Sequence, residues 1–438
     1  MRKTFLLLLL CISALSGSAR LKRPKLIVGL VVDQMRWDYL YYYYDQYGDD
    51  GLKRLLREGY SCENTMINYM PAITAVGHAS IYSGTVPALH GIAGNDFEVN
   101  GRWSYCCADS LVQSVGSGNS AGKMSPRNLM ATTLGDMLRI ATDYKSRVFG
   151  VALKDRAAIL PAGLNGNAAY WWDQKAGCYV SSTYYMDVLP RWVQNFNAKN
   201  HTKPGFDIKT SNEGVTMTFK MAEALLENEK LGQGDVTDML CVSVSSTDAI
   251  GHTFSTRGKE NYEVYMRLDK DLGHFLNVLD EKVGKGNYLL FLTADHGAVH
   301  NPIQMTENRM PVEGWDEAKT MKDLNACLYN KYGVPGLATR AYMNFIYLNH
   351  AAIRQAGLKL SDVRTTAAEF LKDDPQFMYA FDLEKVATET LPEPIKERAV
   401  NSYCRNRSGD LAVVLRNGFL EWRYEKDYKG TTHGQWNP

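Results

Sequence analysis

Three aspartates and three histidines in this 438-residue chain have the side-chain types that bind metal ions. Each aspartate lies at or shortly beyond the end of an apolar run of the kind that forms a buried strand. The six residues are Asp33, Asp248, His252, Asp295, His296 and His433. Zinc accepts both carboxylate oxygen and imidazole nitrogen as ligands. Six ligands are too many for one tetrahedral ion and suit two, so we predict a hydrolase with two metal ions.

A threonine between the first two of these aspartates could act as the nucleophile. Thr74 lies in the segment Pro-Ala-Ile-Thr-Ala-Val-Gly-His, where Pro71 cannot sit inside a helix but a helix could begin at the threonine. A helix N-terminus favours an anion, and a metal can lower the pKa of a hydroxyl enough to make it attack. We therefore predict that Thr74 attacks the substrate. The alternative is that its side chain only caps the helix.

Two cationic side chains and one amide could bind a phosphoryl group. Lys154 and Arg156 follow the strand-like run Arg147 to Leu153, and residues two apart in an extended stretch point to the same side. An ammonium and a guanidinium group together suit a phosphate monoester, whose extra charge needs compensation. Asn95 could donate its amide to a phosphoryl oxygen. The alternatives are a solvated charge cluster for the pair and a turn for Asn95.

The elements that must position these residues form an α/β pattern. Three apolar runs predict buried strands at Leu26 to Val32, Met239 to Val244 and Tyr288 to Leu292. Between the last two, apolar residues at helical spacing predict an amphipathic helix from Asn261 to Leu279. Strands linked by such a helix run parallel, and open α/β sheets bind ligands at the carboxyl ends of their strands. We predict a mostly parallel central sheet with helices on both faces and the metal ligands at one edge.

The remaining segments predict one catalytic domain over residues 25–438 with two additions. Residues of about 98–215 are rich in Gly, Ser, Asn and aromatics and show one strand-like run, so we predict an insertion there. The pattern after His300 predicts a β-α-β-α-β cap over residues of about 301–425, which returns the chain to His433. A long helix is predicted from Trp37 to Gly59.

The N-terminus has the pattern of a secretory signal peptide. Arg2 and Lys3 precede the apolar run Phe5 to Ile12, and a small-residue segment ends at Ala19. The run is far shorter than the ~20 residues that span a bilayer as a helix. We predict a signal peptide over residues 1–19 and export to the periplasm or the medium, with no membrane span in the mature chain. The alternative is a retained anchor.

The composition of the chain argues against several classes of binding partner. The net charge is +1 and no block of basic residues occurs, which argues against nucleic acid and anionic membranes as partners. The chain has eight cysteines but no Cys-x-x-Cys pair, so a cysteine zinc site is not expected. Cleavage after Ala19 would remove Cys11, and the odd number that remains leaves at least one thiol free. We expect a monomer that acts on small molecules.

Taken together, these motifs resemble the alkaline phosphatase superfamily. Within it, the chain is similar to the exported bacterial monoesterases with a threonine nucleophile, the PafA-type alkaline phosphatases. The resemblance covers the chain from about Lys25 onward and keeps the order and spacing of the motifs. The matching stretches are Val-Val-Asp33-Gln, Ile-Thr74-Ala-Val-Gly-His, Gly-Asn95-Asp-Phe, Lys154-Asp-Arg156, Asp248-Ala-Ile-Gly-His252, Asp295-His296-Gly and Thr-Thr-His433-Gly.

The resemblance implies a role for each of these residues. One zinc ion would be held by Asp248, His252 and His433, and the other by Asp33, Asp295 and His296. Thr74 would also bind the second metal and would form a covalent phospho-threonine, which water then hydrolyses. The phosphoryl oxygens would be bound by Asn95, Lys154 and Arg156. The implied function is broad-specificity scavenging of phosphate from small-molecule phosphate monoesters.

Other members of the superfamily fit less well. Sulfatases need a Cys or Ser in a Cys/Ser-x-Pro-x-Arg motif, whereas Thr74 stands in Thr-Ala-Val-Gly-His. Phosphodiesterases and nucleotide pyrophosphatases share the threonine and the asparagine but lack the Lys-x-Arg pair, which makes them the second hypothesis. The third is an inactive metal- or phosphate-binding fragment. Members of the family usually continue with further core structure, so we expect a truncated C-terminus that leaves His433 and the first zinc site loosely braced.

Overall fold

The computed structural model describes residues 23–420 and 429–434. The predicted signal peptide, residues 1–19, lies outside the described residues. Within the described ranges, the model contains no helix whose length and apolar character would let it cross a membrane.

The strands of these residues are, in chain order, β1 (Leu26–Val32), β2 (Asp96–Val99), β3 (Arg102–Tyr105), β4 (Ser114–Val115), β5 (Val148–Ala152), β6 (Ala168–Asp173), β7 (Cys178–Ser182), β8 (Asp238–Val244), β9 (Tyr288–Thr293), β10 (Glu313–Gly314), β11 (Ala338–Tyr342), β12 (Phe345–Leu348), β13 (Phe377–Asp382), β14 (Leu411–Leu415) and β15 (Phe419–Leu420).

The α-helices are α1 (Tyr39–Tyr42), α2 (Leu52–Glu58), α3 (Thr74–Ser83), α4 (Pro87–His90), α5 (Leu134–Ala141), α6 (Asp155–Ala162), α7 (Arg191–Asn200), α8 (Asn212–Asn228), α9 (Ser246–Phe254), α10 (Lys259–Leu279), α11 (Pro302–Glu307), α12 (Glu317–Tyr332), α13 (His350–Gln355), α14 (Leu360–Lys372) and α15 (Glu393–Ser402). Short 3₁₀ turns occur at Tyr44–Gln46, Ser120–Gly122, Ile208–Thr210 and Leu383–Thr388, and a π-helical turn at Asp280–Gly284.

The central sheet has the strand order β4-β7-β6-β5-β8-β1-β9. From β6 to β9 every neighbouring pair is parallel, and only the pairings of β7 with β6 and with β4 are antiparallel. All seven residues of β8 are buried, as expected of a strand covered on both faces. The prediction of a mostly parallel central sheet is confirmed.

Helices cover both faces of this sheet, as predicted. Val28 and Leu30 of β1 pack on one side with Leu272 of α10, whereas Val31 packs on the other side with Tyr82 of α3. This alternation follows from the two-residue period of a strand. Gly29 allows α3 to approach, because a Cβ there would lie 2.4 Å from the Tyr82 hydroxyl oxygen.

The register of the central strands places three chain segments at one edge. Val32 of β1 pairs with Val244 of β8, and Val31 pairs with Thr293 of β9. The residues that follow these three strands therefore leave the sheet at the same level. The predicted strand boundaries are right to within one residue at each end. The burial predicted for Tyr288 to Leu292 is wrong, because β9 is the end strand of the described sheet and Leu289 is 55% exposed.

The helix predicted from Trp37 to Gly59 is wrong. The structure divides this stretch into α1, a 3₁₀ turn and α2. The carboxylate of Asp269 accepts hydrogen bonds from the backbone N–H groups of Gly48 and Leu52, at 2.7 and 2.8 Å. These bonds replace those of a continuous helix and hold a loop between the two halves.

The region of residues 98–215 contributes more than one strand to the central sheet. Besides the predicted run, now β5, it supplies β4, β6 and β7. Tyr170 and Trp171 of β6 are each 1% exposed, so they are core residues. Successive large aromatics hide the alternation that would have identified this strand from sequence.

The cap has its own antiparallel sheet, in the order β11-β12-β14-β13. The predicted strands and helices occur in the predicted order, with the first predicted strand divided into the hairpin of β11 and β12. Helices α11, α12 and α13 of this region were not predicted. Its turn contains Met343, whose φ of 55° ends the extended conformation. Beyond this sheet, residues 429–434 bring His433 back to the edge of the central sheet.

Candidate active site

The first cluster of the site is formed by Asp248, His252 and His433. Each offers a ligand atom, and these atoms lie within 4.8 Å of one another. Helix α9 places Asp248 and His252 one turn apart, with His252 Nε2 3.2 Å from Asp248 Oδ1. His433 Nε2 lies 3.2 Å from His252 Nε2 and 3.6 Å from Asp248 Oδ1.

The second cluster is formed by Asp33, Asp248 and His296, whose ligand atoms also lie within 4.8 Å of one another. His296 Nε2 is 3.4 Å from Asp33 Oδ1 and 3.5 Å from Asp295 Oδ2. Asp295 thus lies beside this cluster, as the resemblance implies. Asp248 belongs to both clusters, although the resemblance assigns it to one.

Backbone carbonyls orient the three imidazoles. The Nδ1 atoms of His252, His296 and His433 lie 2.8, 3.0 and 3.0 Å from the carbonyl oxygens of Thr431, Gly297 and Ala72, respectively. A carbonyl oxygen only accepts, so each Nδ1 carries the proton and each Nε2 carries the lone pair. Metal-binding histidines are commonly oriented in this way, with the other ring nitrogen turned to the ion.

The carboxylates supply independent evidence that the clusters fit cations. Asp33 Oδ1 and Asp295 Oδ2 are buried and accept no hydrogen bond from any described residue. A buried carboxylate oxygen without a donor is costly, and a metal ion would satisfy it. The three histidines and three aspartates therefore form a donor set that suits metal ions on both sides of Asp248.

The charges of the site are strongly coupled. Burial and the negative charges of Asp248 and Asp295 raise the pKa of Asp33 well above its usual range. Burial also opposes the ionisation of Asp248, but Lys154 and His252 hold the pKa of that carboxyl well below its usual range. The Lys154 ammonium group lies between the two clusters, with Nζ 2.6 Å from Asp33 Oδ2 and 2.5 Å from Asp248 Oδ2.

Thr74 is the first residue of α3, as predicted, but its side chain does not cap the helix. The N-cap residue is Ile73, and no side-chain capping bond is formed. Thr74 Oγ1 instead lies 3.4 Å from Lys154 Nζ and 3.5 Å from His296 Nε2. The threonine hydroxyl therefore faces the second cluster.

Two other residues of α3 explain why this helix can approach the clusters. A Cβ on Gly77 would lie 2.2 Å from the backbone oxygen of Asp295, so only glycine fits. His78 is fully buried. Its Nδ1 lies 2.8 Å from the Thr74 carbonyl oxygen and 3.3 Å from Asp295 Oδ2, and its Nε2 lies 2.9 Å from Ser243 Oγ.

The two predicted cationic side chains have different hydrogen-bond partners, and the residues that carry them are not extended. Lys154 is the N-cap of α6, and Arg156 lies in the first turn of that helix. Lys154 contacts the clusters directly, whereas the Arg156 guanidinium donates to the Tyr105 hydroxyl at 3.1 Å. The start of a helix, and not an extended stretch, therefore sets the positions of the two residues.

Asn95 is linked to the site by a hydrogen bond to α3, the helix that begins at Thr74. Its Oδ1 accepts the backbone N–H of Ala75 at 2.9 Å. Because the carbonyl side of the amide is engaged with α3, the Nδ2 group is the side that can donate to a ligand. This geometry agrees with an amide donor better than with an isolated turn residue.

Sequence reasoning missed Gln34. Its Nε2 donates to Asp248 Oδ1 at 2.7 Å, and its backbone N–H donates to Asp295 Oδ1 at 3.1 Å. Its φ is 64°, an uncommon conformation for a residue other than glycine. The only signal in the sequence is its position directly after Asp33.

Known proteins are similar to this chain over nearly its whole length. The alkaline phosphatase PafA of Elizabethkingia meningoseptica is 41% identical, with 99% of this chain and 89% of the relative covered. The alkaline phosphatase PhoV of Synechococcus elongatus is also 41% identical, with 95% and 84% covered. These relatives support the prediction of an alkaline phosphatase.

Solved structures agree with the sequence relatives. A crystal structure of wild-type PafA matches with a TM-score of 0.89 at 42% identity and covers 95% of this chain and 89% of that one. A PafA variant substituted at one threonine, one asparagine, one lysine and one arginine also gives a TM-score of 0.89. Residues 27–436 match the family model of type I phosphodiesterase / nucleotide pyrophosphatase. The predicted superfamily is confirmed, and the chain belongs to the type I phosphodiesterase / nucleotide pyrophosphatase family within it.

Proposed function

We propose that this chain is a phosphate monoester hydrolase that holds two zinc ions and transfers the phosphoryl group to Thr74. The observation that carries this proposal is the position of the Thr74 hydroxyl, 3.4 Å from Lys154 Nζ and 3.5 Å from His296 Nε2. The similarity to the alkaline phosphatases PafA and PhoV supports the reaction class.

The two clusters would hold the metal ions. One ion would be bound by Asp248, His252 and His433, and the other by Asp33, Asp295 and His296 together with Thr74. When bound, such ions polarise the phosphoryl and leaving oxygens and lower the pKa of a hydroxyl. Mixed carboxylate and imidazole ligands suit zinc, and the proposal assigns zinc to both clusters.

The chain itself supplies the nucleophile. Thr74 Oγ1 forms a bond to phosphorus while the bond between phosphorus and the leaving oxygen breaks, and the leaving group departs as an alcohol. Water then attacks the phospho-threonine, releases inorganic phosphate and restores the hydroxyl. The N-terminal end of α3 carries a partial positive charge that favours the transferred phosphoryl group.

Three further side chains would bind the phosphoryl oxygens, namely Asn95, Lys154 and Arg156. The four residue types substituted together in the PafA variant are threonine, asparagine, lysine and arginine. Thr74, Asn95, Lys154 and Arg156 are the same types in the same order. Two cations suit the second negative charge of a monoester, which a diester lacks.

Hydrolysis of an aryl phosphate monoester and of the matching diester tests the proposal. The purified protein is treated with a chelator and then reloaded with zinc or with magnesium. We expect zinc-dependent turnover that favours the monoester. Equal or faster turnover of the diester would contradict the specificity, and phosphate binding without turnover would support an inactive binding protein.

The second candidate is a phosphodiesterase or nucleotide pyrophosphatase, because the matching family model carries that description. Arg156→Ala separates the two candidates. In a monoesterase the substitution lowers monoester turnover far more than diester turnover, whereas in a diesterase both change alike. We also propose that the protein is exported; detection of the chain lacking residues 1–19 in the periplasm or medium would test this.

A further inference from the structure

Side chains at the two ends of the β2–β3 hairpin form hydrogen bonds with the two helices that carry Thr74 and Arg156. At its start, Asn95 Oδ1 accepts the backbone N–H of Ala75 in α3. At its end, Tyr105 pairs across the hairpin with Asp96, and Cys106 donates its backbone N–H to the carbonyl oxygen of Asn95 at 2.8 Å. The hairpin therefore holds Asn95 and Tyr105 at a short, fixed separation.

The Tyr105 hydroxyl forms two hydrogen bonds at the N-terminus of α6. It donates to Asp155 Oδ1 at 2.5 Å and accepts from the Arg156 guanidinium at 3.1 Å. A phenol can do both at once, because it has one proton and an acceptor lone pair. Asp155 Oδ1 also accepts the backbone N–H of Arg156 at 2.6 Å, which closes a compact network.

The Tyr105 phenol stays protonated, and this decides which of its two hydrogen bonds it donates and which it accepts. Burial raises the pKa of Tyr105 well above its usual range. The phenolic proton therefore stays on oxygen and points to Asp155. The lone pair is left for Arg156.

The orientation of the Arg156 guanidinium depends on its hydrogen bond to Tyr105. Among the described residues, the hydroxyl of Tyr105 is the one hydrogen-bond acceptor of the Arg156 guanidinium. The Nε atom of Arg156 is buried and has no acceptor among these residues. An arginine side chain has several rotatable bonds, and it recognises a phosphoryl group only if its planar fork is held in one orientation. One fixed NH1 atom restricts that orientation while leaving other N–H groups for a ligand.

We propose that Tyr105 is a positioning residue that holds the Arg156 guanidinium toward the phosphoryl group and thereby sets the preference for monoesters over diesters. The inference rests on the proposed phosphoryl-binding role of Arg156. Tyr105 acts through Arg156 and does not contact the reacting atoms.

A double-mutant cycle tests this inference. The zinc-loaded forms of the parent, Tyr105→Phe, Arg156→Ala and the double variant are compared on an aryl phosphate monoester and the matching diester. We expect Tyr105→Phe to lower kcat/KM for the monoester about tenfold and to change that for the diester less than about twofold. In the Arg156→Ala background, Tyr105→Phe should cause no further loss, because its effect passes through the guanidinium.

Two further variants separate positioning from folding. Tyr47→Phe removes another buried phenol, which donates to the carbonyl oxygen of Tyr39 at 2.9 Å, and should leave the ratio of monoester to diester turnover unchanged. Asp155→Ala removes the acceptor of the phenolic proton and should shift the ratio in the same direction as Tyr105→Phe. Thermal unfolding of each variant shows whether it is folded.

The outcomes distinguish two failures. If Arg156→Ala itself leaves the ratio of monoester to diester turnover unchanged, the proposed role of Arg156 is wrong. If Arg156→Ala changes the ratio but Tyr105→Phe lowers both activities equally, or adds its full effect to that of Arg156→Ala, the positioning role of Tyr105 is overturned.

Discussion

The imidazole rings of His296 and His433 stack with their centroids 3.7 Å apart and their planes 17° apart. The resemblance assigns these residues to different metal ions. Their Nδ1 atoms contact two separate backbone carbonyls, those of Gly297 and Ala72. The stacking therefore joins the two clusters, and ions bound in them would be close neighbours, as a two-metal phosphoryl transfer requires.

Thr74→Ala should abolish the covalent intermediate but keep the metals. The substitution removes the nucleophilic oxygen, while the aspartates and histidines remain, so we expect a loss in turnover of about 10³-fold or more with nearly normal zinc content. Turnover, elemental analysis and mass spectrometry of trapped phospho-enzyme measure these effects. Thr74→Ser, which keeps a hydroxyl, is the control. Loss of zinc together with activity would mean that Thr74 has a structural role.

His433→Ala should weaken one metal site selectively. Nε2 of this residue lies beside His252 and Asp248, so we expect bound zinc to fall from about two ions to about one per chain and turnover to fall about 10²-fold or more. Elemental analysis after dialysis measures the stoichiometry. His201→Ala changes an exposed histidine and should leave both values unchanged. Retention of two tightly bound ions in His433→Ala would contradict the assignment.

Gly77→Ala should displace α3 from the clusters. A Cβ at this position would lie 2.2 Å from the Asp295 backbone oxygen, which cannot move without disturbing a predicted ligand. Overpacking of this kind costs about 1–3 kcal/mol of unfolding free energy, and turnover should fall as Thr74 shifts. Gly234→Ala is the matched control, because its Cβ would meet no atom within 4 Å. Unchanged stability and turnover in Gly77→Ala would refute the close approach.

The ion pair of His350 and Asp410 in the cap should make stability depend on pH. The two residues are 2.7 Å apart, and the hydrogen bond to Asp410 raises the pKa of His350. Because the pKa of His350 is higher in the folded state, protonation stabilises the fold. This stabilisation is complete below the histidine pKa of the unfolded chain, about 6.5, and is lost as the pH rises through the pKa of the folded state.

His350→Gln tests this dependence. The His350 side chain is 42% exposed, so the loss of stability should be below about 1 kcal/mol. Urea unfolding at about pH 5 and about pH 9 should show a loss for the variant at the lower pH and almost none at the higher pH. A larger loss at the higher pH would contradict the sign of the shift.

The sequence predicts the central strands and most ligands because their signals are local. An apolar run of five to seven residues forms a strand of the central sheet, and the residue after the run must leave the sheet at its edge. The run ending at Val32 therefore located Asp33 without any knowledge of its neighbours. A different local signal, Pro71, which cannot sit inside a helix, placed Thr74 at the start of a helix.

Other features depend on contacts between residues that are far apart in the chain. The carboxylate of Asp269 interrupts the helix predicted from Trp37 to Gly59, and no local pattern near residue 50 could show this. Helix α6 begins at Asp155, and the guanidinium of Arg156 donates to the hydroxyl of Tyr105, which is about 50 residues earlier in the chain.

The types and order of the site residues are thus determined by the sequence alone. Only the tertiary structure decides that Asp248 borders both clusters, that Gln34 braces two of the aspartates and that Tyr105 holds Arg156. Spacing along the chain specifies which elements form. Distances between side chains depend on how those elements pack, because packing is set by shape and hydrogen bonding across the whole domain.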